Sequence, residues 1–469
     1  MRPFQVLVSC CLALSIAPAA ATAATSVQGD QADKAAEADR PITVHLRAEP
    51  AAALYRSQLL GELDHAVGDH LAIAGLTIPA RTDAKGGLQL DLKGDGTFTT
   101  YAHASTVTLA VPLEGGKHTF KLQIYVQQAP DKTWVYRNIT QLTLQLGSES
   151  LAIVDVNGDG VYDQAGVDGM TWAGSDWLFP LPAAGERWCT ATLDLTGLTF
   201  DALGDHPVLS GRPLATTRPE ALPVLRDVNA ERVKLGLTPR PEDAKLSADL
   251  QQHCHYMAVN KVLTHPEDNG KPGFSAEGNA AGMRSILGMG TAAENLATVM
   301  VGTYFHRQDV IRPETLAFGV AYEGSYGGID GRSRLGKAPA GWWPVLCPVP
   351  DQREVPTGYG KEMPDAVPGN DHAGYAITAY FGSGRLKLTG FSLKALSGKA
   401  PGPVECLPFD PQTGASANMT GYQRCVAIIA KDRLQDATLY EVNLQVEVDG
   451  QAWTKTWQFG TVGLAKPKH

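Results

Sequence analysis

The chain has 469 residues, 43% of them hydrophobic and 19% charged, a mix that can bury several cores and excludes global disorder. At about 150 residues per domain, the length suggests roughly three domains. The net charge is −9, from 40 Lys+Arg against 49 Asp+Glu, and no basic run reaches five residues, so nucleic-acid binding is not the expected role.

Met1-Arg2 opens a short positive start, and Val6 to Ala21 is almost uninterruptedly apolar. Ala21-Thr22-Ala23 has the small-x-small form that signal peptidase reads, so residues 1–24 are expected to be a signal peptide. Leu7-Val8-Ser9-Cys10 offers a lipobox-like alternative, but only nine residues precede that cysteine. Polar, Ala-rich residues 25–41 read as a flexible leader. The mature chain is expected to be secreted, periplasmic or attached to the cell envelope. No later apolar run approaches the ~18 residues of a spanning helix. Removing the signal takes Cys10 and Cys11 and leaves Cys189, Cys254, Cys347, Cys406 and Cys425. An odd count leaves at least one thiol free. Cys406 and Cys425 are the disulfide candidates, Cys254 is the expected free thiol, and the alternative for all five is a small buried hydrophobe.

From Ile42 to about Phe200 the pattern is that of strands. Phe120, Leu122, Ile124 and Val126 alternate with mostly polar residues, as do Leu142, Leu144 and Leu146, and residues 42–200 read as a β-sandwich. Within it, Asp155-x-Asn157-x-Asp159-Gly160-Val161-x-Asp163 matches the first half of an EF-hand-like calcium loop. Side chains at alternate positions of a tight loop can supply the oxygens that Ca2+ requires, and Val161 would offer its carbonyl. Gly166 stands where a bidentate Glu belongs, and Asp168 is the substitute. An Asx/Gly-rich turn is the plain structural alternative. Trp172, Trp177 and Trp188 cluster loosely in the sequence, without forming an obvious sugar platform.

Residues 201–219 read as a linker, after which the period becomes helical. Leu222, Leu225, Val228, Arg232 and Leu235 lie on one face, with Gly236 closing that helix. Leu246, Leu250, Cys254 and Met257 form a second stripe, a third helix is expected over Asn279–Leu287, and a fourth from Thr291. A strand follows at Ala317–Tyr322, making residues 220–340 an α+β domain. In residues 341–469 the strand pattern returns. Tyr440 to Val448 alternates, Asp449-Gly450 is a hairpin signal, and Leu434-x-x-x-Thr438-x-Tyr440 looks like the corner of an immunoglobulin-like domain.

Several short motifs in the central domain occur in a telling order. They are Val228-Asn229-Ala230-Glu231-Arg232, Leu246-Ser247, His253-x-x-Tyr256-Met257-Ala258, Thr264-His265 and Phe305-His306-Arg307. On these residues the stretch from about Leu222 to Tyr322 resembles the CAP superfamily, also called the SCP domain. The resemblance implies an α-β-α sandwich with a central cleft lined by His, Glu, Glu and His in that order. His265 and His306 match the histidines, and Glu277 and Glu294 keep the order of the carboxylates. Glu294-Asn295-Leu296-Ala297 departs from the family's motif at Ala293, where a glycine belongs.

Two imidazoles and carboxylates in one cleft suit a zinc-type divalent cation, or a general acid/base set. Structural readings stand beside these. Thr291-x-x-Glu294 is a capping box, Glu277 a helix-entry residue, His265 a turn residue before Pro266, and His306 a half-buried histidine. His253 and His255 read as structural. No HExxH, GxSxG, CxxC or P-loop is present. The expected role is a non-enzymatic extracellular binding protein, its ligand a lipid, peptide or envelope component. The alternatives are a metal-assisted, protease-like hydrolase using the same cleft, and an adhesive or structural protein of the cell envelope.

Overall fold

The computed structural model describes residues 42–464, except 52–53, 61, 114–117, 147–148, 174, 184–185, 190–193, 202–207, 214–221, 338–343, 383 and 412–423. The expected signal peptide, leader and Cys10 lie outside the described residues. The protein is multidomain and β-rich, with seven sheets among the described residues.

The alternation that predicted strands places Leu122, Ile124 and Val126 on the buried face of His118–Gln128. That strand sits between Ser105–Leu113 and Trp134–Asn138, with His65–Ala66 at the far edge. A second four-stranded sheet, from His70 to Tyr101, shares its core through Leu71, Ile78, Leu88 and Leu90. This pair is a β-sandwich, but it covers less of the chain than residues 42–200. A separate five-stranded sheet runs from Arg47–Pro50 to Phe179–Pro180, and a fourth joins Ile42–His45 to the strands between Trp188 and Pro213. The expected 201–219 linker is therefore partly strand: Val208–Pro213 pairs with Ile42–His45 on one side and Asp194–Asp201 on the other.

The central domain has three layers. Its sheet consists of Ile286–Met289, Tyr326–Asp330 and Gly319–Glu323, in that order. Ile286, Val320 and Ile329 face one side and Leu287, Ala321 and Tyr326 the other, the two-residue alternation of a strand. Helix α1 (Leu222–Lys234) lies on the first side. It ends at Gly236, whose φ of +67° suits the left-handed turn; a Cβ there would stand 2.6 Å from Trp177. Helices α2 (Ala244–Asn260) and α3 (Ala276–Arg284) cover the other side. Helix α3 begins and ends three residues before the expected Asn279–Leu287 span, because Ser275 caps its start and the apolar Ile286 and Leu287 go into the sheet. Helices α4 (Leu296–Val301) and α5 (Arg307–Val310) complete the first layer.

Residues 345–460 form an immunoglobulin-like sandwich of two four-stranded antiparallel sheets. Asp449 and Gly450 both have positive φ, 51° and 84°, and join Leu439–Val448 to Gln451–Gly460 in a tight hairpin. The Tyr440 hydroxyl accepts from the Gln435 N–H at 2.7 Å, closing the expected corner. Cys406 and Cys425 are both free thiols here, and the strand register explains why. Cys406 stands opposite Ala430, at the other end of the strand that begins with Cys425.

The sandwich and the first layer of the central domain share one hydrophobic core. Arg307 is fully buried at the junction and donates to the Ala376 carbonyl at 2.6 Å and the Thr378 hydroxyl at 3.1 Å. Tyr304 donates to the Cys425 carbonyl at 2.9 Å.

Candidate functional site

The loop carrying His265 is fixed from below. His253, fully buried on α2, has Nδ1 2.8 Å from Glu267 Oε1 and Nε2 2.8 Å from the Thr264 carbonyl oxygen. Glu267 also accepts from the Ser275 N–H at 2.9 Å, and its own N–H donates to Asn279 at 2.8 Å. Gly282 passes so close that a Cβ would lie 2.3 Å from the His253 ring. The Gly282 carbonyl accepts from His265 Nδ1 at 2.7 Å. A carbonyl only accepts, so His265 carries its proton on Nδ1 and keeps Nε2 as an acceptor when neutral. His253 is thus structural, as expected, and Glu267 is its partner.

His306 precedes α5, and the carboxylate that orients it comes from the C-terminal region. Glu362 accepts from the backbone N–H groups of Tyr304, Phe305 and His306 at 2.9–3.1 Å, and also from the Tyr359 hydroxyl. His306 Nδ1 lies 3.3 Å from Glu362 Oε2. Burial pushes the His306 pKa down, helped by the charges of His265 and Arg332 and opposed by Glu362 and Asp309. Desolvation wins, so His306 favours the neutral ring, with Nδ1–H on Glu362 and Nε2 as an acceptor.

His265 and His306 line one cleft of about 700 Å3. Leu263, Met289 and Val299 line it from the central domain and Met363 from the strap 359–373; all four are exposed, Met363 at 80%. The strap also contributes Tyr359, Lys361, Asp365 and Asp371, with Lys361 and Asp371 paired at 3.0 Å.

The two expected carboxylates are not in this cleft. Glu277 is exposed in the first turn of α3, and Glu294 is exposed in a 3-10 turn, Ala293–Asn295. The capping box does not form either. Asp227 on α1 takes its place, accepting from Ala297 N–H at 2.6 Å, Thr298 N–H at 3.1 Å and the Thr298 hydroxyl at 2.8 Å. Glu362 was missed because it lies beyond the expected domain boundary at residue 340 and belongs to no motif. Its tight spacing to Tyr359 is the single local signal.

The calcium-type loop connects Glu149–Val154 to Gly169–Trp172. Asp155 is fully buried and accepts from Gly158 N–H at 2.7 Å and Gly160 N–H at 2.9 Å, with the Asn138 amide at 3.3 Å. Asp168, equally buried, accepts from Val156 N–H at 3.2 Å and Gln164 N–H at 2.9 Å. Burial, with the charge of Asp159 acting on both and that of Asp155 on Asp168, pushes Asp155 up to about 6 and Asp168 up to about 7. Asn157, Asp159 and Asp163 are exposed, and the amides of Asn157 and Gln164 both donate to Asp159.

Among the described residues, no three His, Cys, Asp or Glu side chains are gathered closely enough to hold a metal ion. In the cleft, the oxygens of Glu362 are taken by backbone donors and Tyr359, Asp371 is paired with Lys361, and neither Asp365 nor Asp371 is gathered with the two imidazoles into a ligand set. Two imidazoles alone fall short of the three or four protein ligands of a zinc site.

No protein-family model matches the chain, and no curated protein matches it. A solved structure, an extracellular protein containing an SCP domain from Bacillus anthracis str. Ames, aligns over 53% of this chain and 86% of its own, at 10% identity and a TM-score of 0.20. At that score the likeness carries no argument about this chain. Among the described residues, no helix is long and apolar enough to cross a membrane.

Proposed function

We propose that the chain is an exported, CAP-type binding protein whose cleft takes an amphipathic small molecule without turning it over. The observation that carries this reading is the matched pair of imidazoles. His265 and His306 line the same cleft, each with Nδ1 engaged by a protein acceptor and Nε2 left to accept. A ligand for such a pair donates hydrogen bonds, as a hydroxyl or amide does, and lays an apolar body against Leu263, Met289, Val299 and Met363. A covalent hydrolytic route needs a nucleophile held by a base. No Ser or Cys side chain bonds to either imidazole among the described residues.

The test uses 1-dodecanol as probe, measured by displacement of anilinonaphthalene sulfonate from the mature protein. The alcohol is expected to displace the dye, and His265→Ala/His306→Ala is expected to weaken it at least tenfold; one lost hydrogen bond of about 1.4 kcal/mol corresponds to that factor. Dodecanol competing equally well with the double variant would overturn the reading. A peptide and ester substrate panel is run beside it. Turnover that vanishes in the double variant would replace the binding role with hydrolysis.

A further inference from the structure

A second groove, of about 600 Å3, lies where residues 54–63 meet Leu346, Pro350 and the strand Gln451–Gly460 of the sandwich. It shares no lining residue with the His265/His306 cleft. Arg56 lies over the Trp177 ring at 4.2 Å and is held by the Pro350 carbonyl at 3.1 Å and by Asp176 at 2.7 Å. Arg137 is held by Asp64 at 2.8 Å. Both guanidinium charges are therefore matched within the protein. The other two ionic lining residues, Glu62 and Lys455, are exposed, opposite in sign and in no ion pair among the described residues. A groove balanced in this way calls for a neutral ligand. Hydroxyl groups suit it, since they donate to a carboxylate and accept from an ammonium. Trp453, partly buried and edge-to-face with Phe381 at 5.2 Å between centroids, adds an aromatic wall. An aromatic ring offers a rigid apolar face, which matches the C–H face of a pyranose, while the sugar's rim carries the hydroxyls.

An independent feature is the open edge of Gln451–Gly460. This strand pairs with Leu439–Val448 in unbroken register and is the last strand of its sheet. Its outer edge is used near its end. The Gln458 carbonyl accepts from the Asp351 N–H at 2.7 Å, and Gly460 donates to the Gln352 carbonyl at 2.8 Å and accepts from the Val355 N–H at 3.1 Å. In an antiparallel strand the N–H and C=O of one residue point to the same side, and successive residues alternate. Thr454 therefore turns both groups outward, as Gln458 and Gly460 do, and neither group has a backbone partner on that side among the described residues. Of the three strand residues that line the groove, Trp453, Thr454 and Lys455, only Thr454 faces outward. A backbone N–H and C=O side by side are the complement of one secondary amide, as each rung of a sheet shows.

We propose that this groove binds an N-acetylated saccharide. The acetamido group pairs with the N–H and C=O of Thr454, the pyranose face lies on Trp453, and the hydroxyls reach Glu62 and Lys455. An extended peptide would add to the same edge, but it draws its affinity from several rungs, and the groove offers one. The junction of two regions is a usual place for a ligand pocket, and the volume suits a short oligosaccharide. The groove is separate from the His265/His306 cleft, so its success or failure is independent of the role proposed for that cleft.

The experiment titrates the full mature chain with tri-N-acetylchitotriose by calorimetry, beside cellotriose, which has the same linkage without the acetamido groups. The acetylated sugar is expected to bind, and cellotriose to bind about tenfold more weakly or less, for the loss of the amide pairing. Trp453→Ala is expected to weaken the acetylated sugar by about tenfold. Thr454→Pro removes the N–H at an open strand edge, where proline is tolerated, and is expected to weaken it by about tenfold. Thr454→Ala keeps the backbone groups and is expected to bind as the wild type does, as is His265→Ala/His306→Ala. Thermal melts establish that each variant is folded; if Trp453→Ala is not, the contrast between Thr454→Pro and Thr454→Ala decides. No heat from the acetylated sugar with the folded wild-type protein would overturn the proposal. Equal affinity for cellotriose, or wild-type affinity in Thr454→Pro, would overturn the amide pairing and the proposal with it. An N-acetylated tetra-alanine amide binding as tightly as the sugar would assign the groove to extended peptides instead.

Discussion

At the level of single residues, the protein places its ionisable groups against acceptors and donors supplied by other segments. His265 depends on a carbonyl of α3 and His306 on a carboxylate 56 positions later in the chain. The Asp155/Asp168 pair has a calculable consequence for pH. In the folded chain these carboxylates release protons near 6 and 7, whereas in the unfolded chain an aspartate does so near ~3.9. Between those limits the folded state binds more protons, so its stability falls as pH rises. Urea unfolding from pH 4 to pH 8 should therefore show stability that declines from about pH 4 and levels off above about pH 7, other groups being held equal by the Asp155→Asn/Asp168→Asn variant. A wild-type profile parallel to that of the variant would contradict the raised values.

At the level of elements, periodicity succeeded where the neighbours of a segment are close in sequence. The Tyr440–Val448 alternation and the Asp449-Gly450 turn specify a hairpin locally, and that hairpin forms in register. The second-helix stripe, Leu246 to Met257, is likewise the buried face of α2. Where a segment's partner is remote, the local signal misled. Thr291-x-x-Glu294 reads as a capping box, yet the donors at the start of α4 are satisfied from α1 by Asp227. Sequence spacing cannot reveal a cap supplied 70 residues away. Val208–Pro213 escaped notice for another reason: its Pro, Gly and Thr-rich surroundings read as a linker, although one of its strand partners, Asp194–Asp201, lies just before it. Both histidines of the cleft were legible from short motifs, and neither of their acceptors was. The capping assignment yields a direct test. Asp227→Ala should cost about 1–2 kcal/mol in urea denaturation, with an unchanged slope. Glu294→Ala, which removes an exposed side chain, should stay within about 0.5 kcal/mol of wild type. The opposite ranking would restore the capping box.

For the whole molecule, the boundary at residue 340 is a boundary of sequence pattern and not of packing. One core runs from Val228 on α1 through Tyr304 and Phe305 to Ile377 and Ile428 in the sandwich. Arg307 makes the junction polar as well as apolar, since it sits buried among carbonyls of the sandwich. Residues 222–337 produced alone would expose that apolar face and strand Arg307 without its acceptors. They are expected to show no cooperative thermal transition by circular dichroism, while residues 222–464 show one. A sharp transition in the shorter piece would make the two regions independent folding units.

The strap 359–373 gives the shared core a further meaning. Half of the cleft's wall, and the carboxylate that sets the tautomer of His306, belong to the C-terminal region, while the imidazoles belong to the central one. Under the proposed binding role, selectivity would be a joint property of two segments that a sequence reader would separate. In a set of chimaeras that exchange the sandwich between related chains, ligand preference would travel partly with the sandwich, although that region carries neither histidine. Diversity in what such chains capture can then arise in the strap, by drift in residues such as Lys361, Met363 and Asp365, with the central fold and its imidazole pair left unchanged.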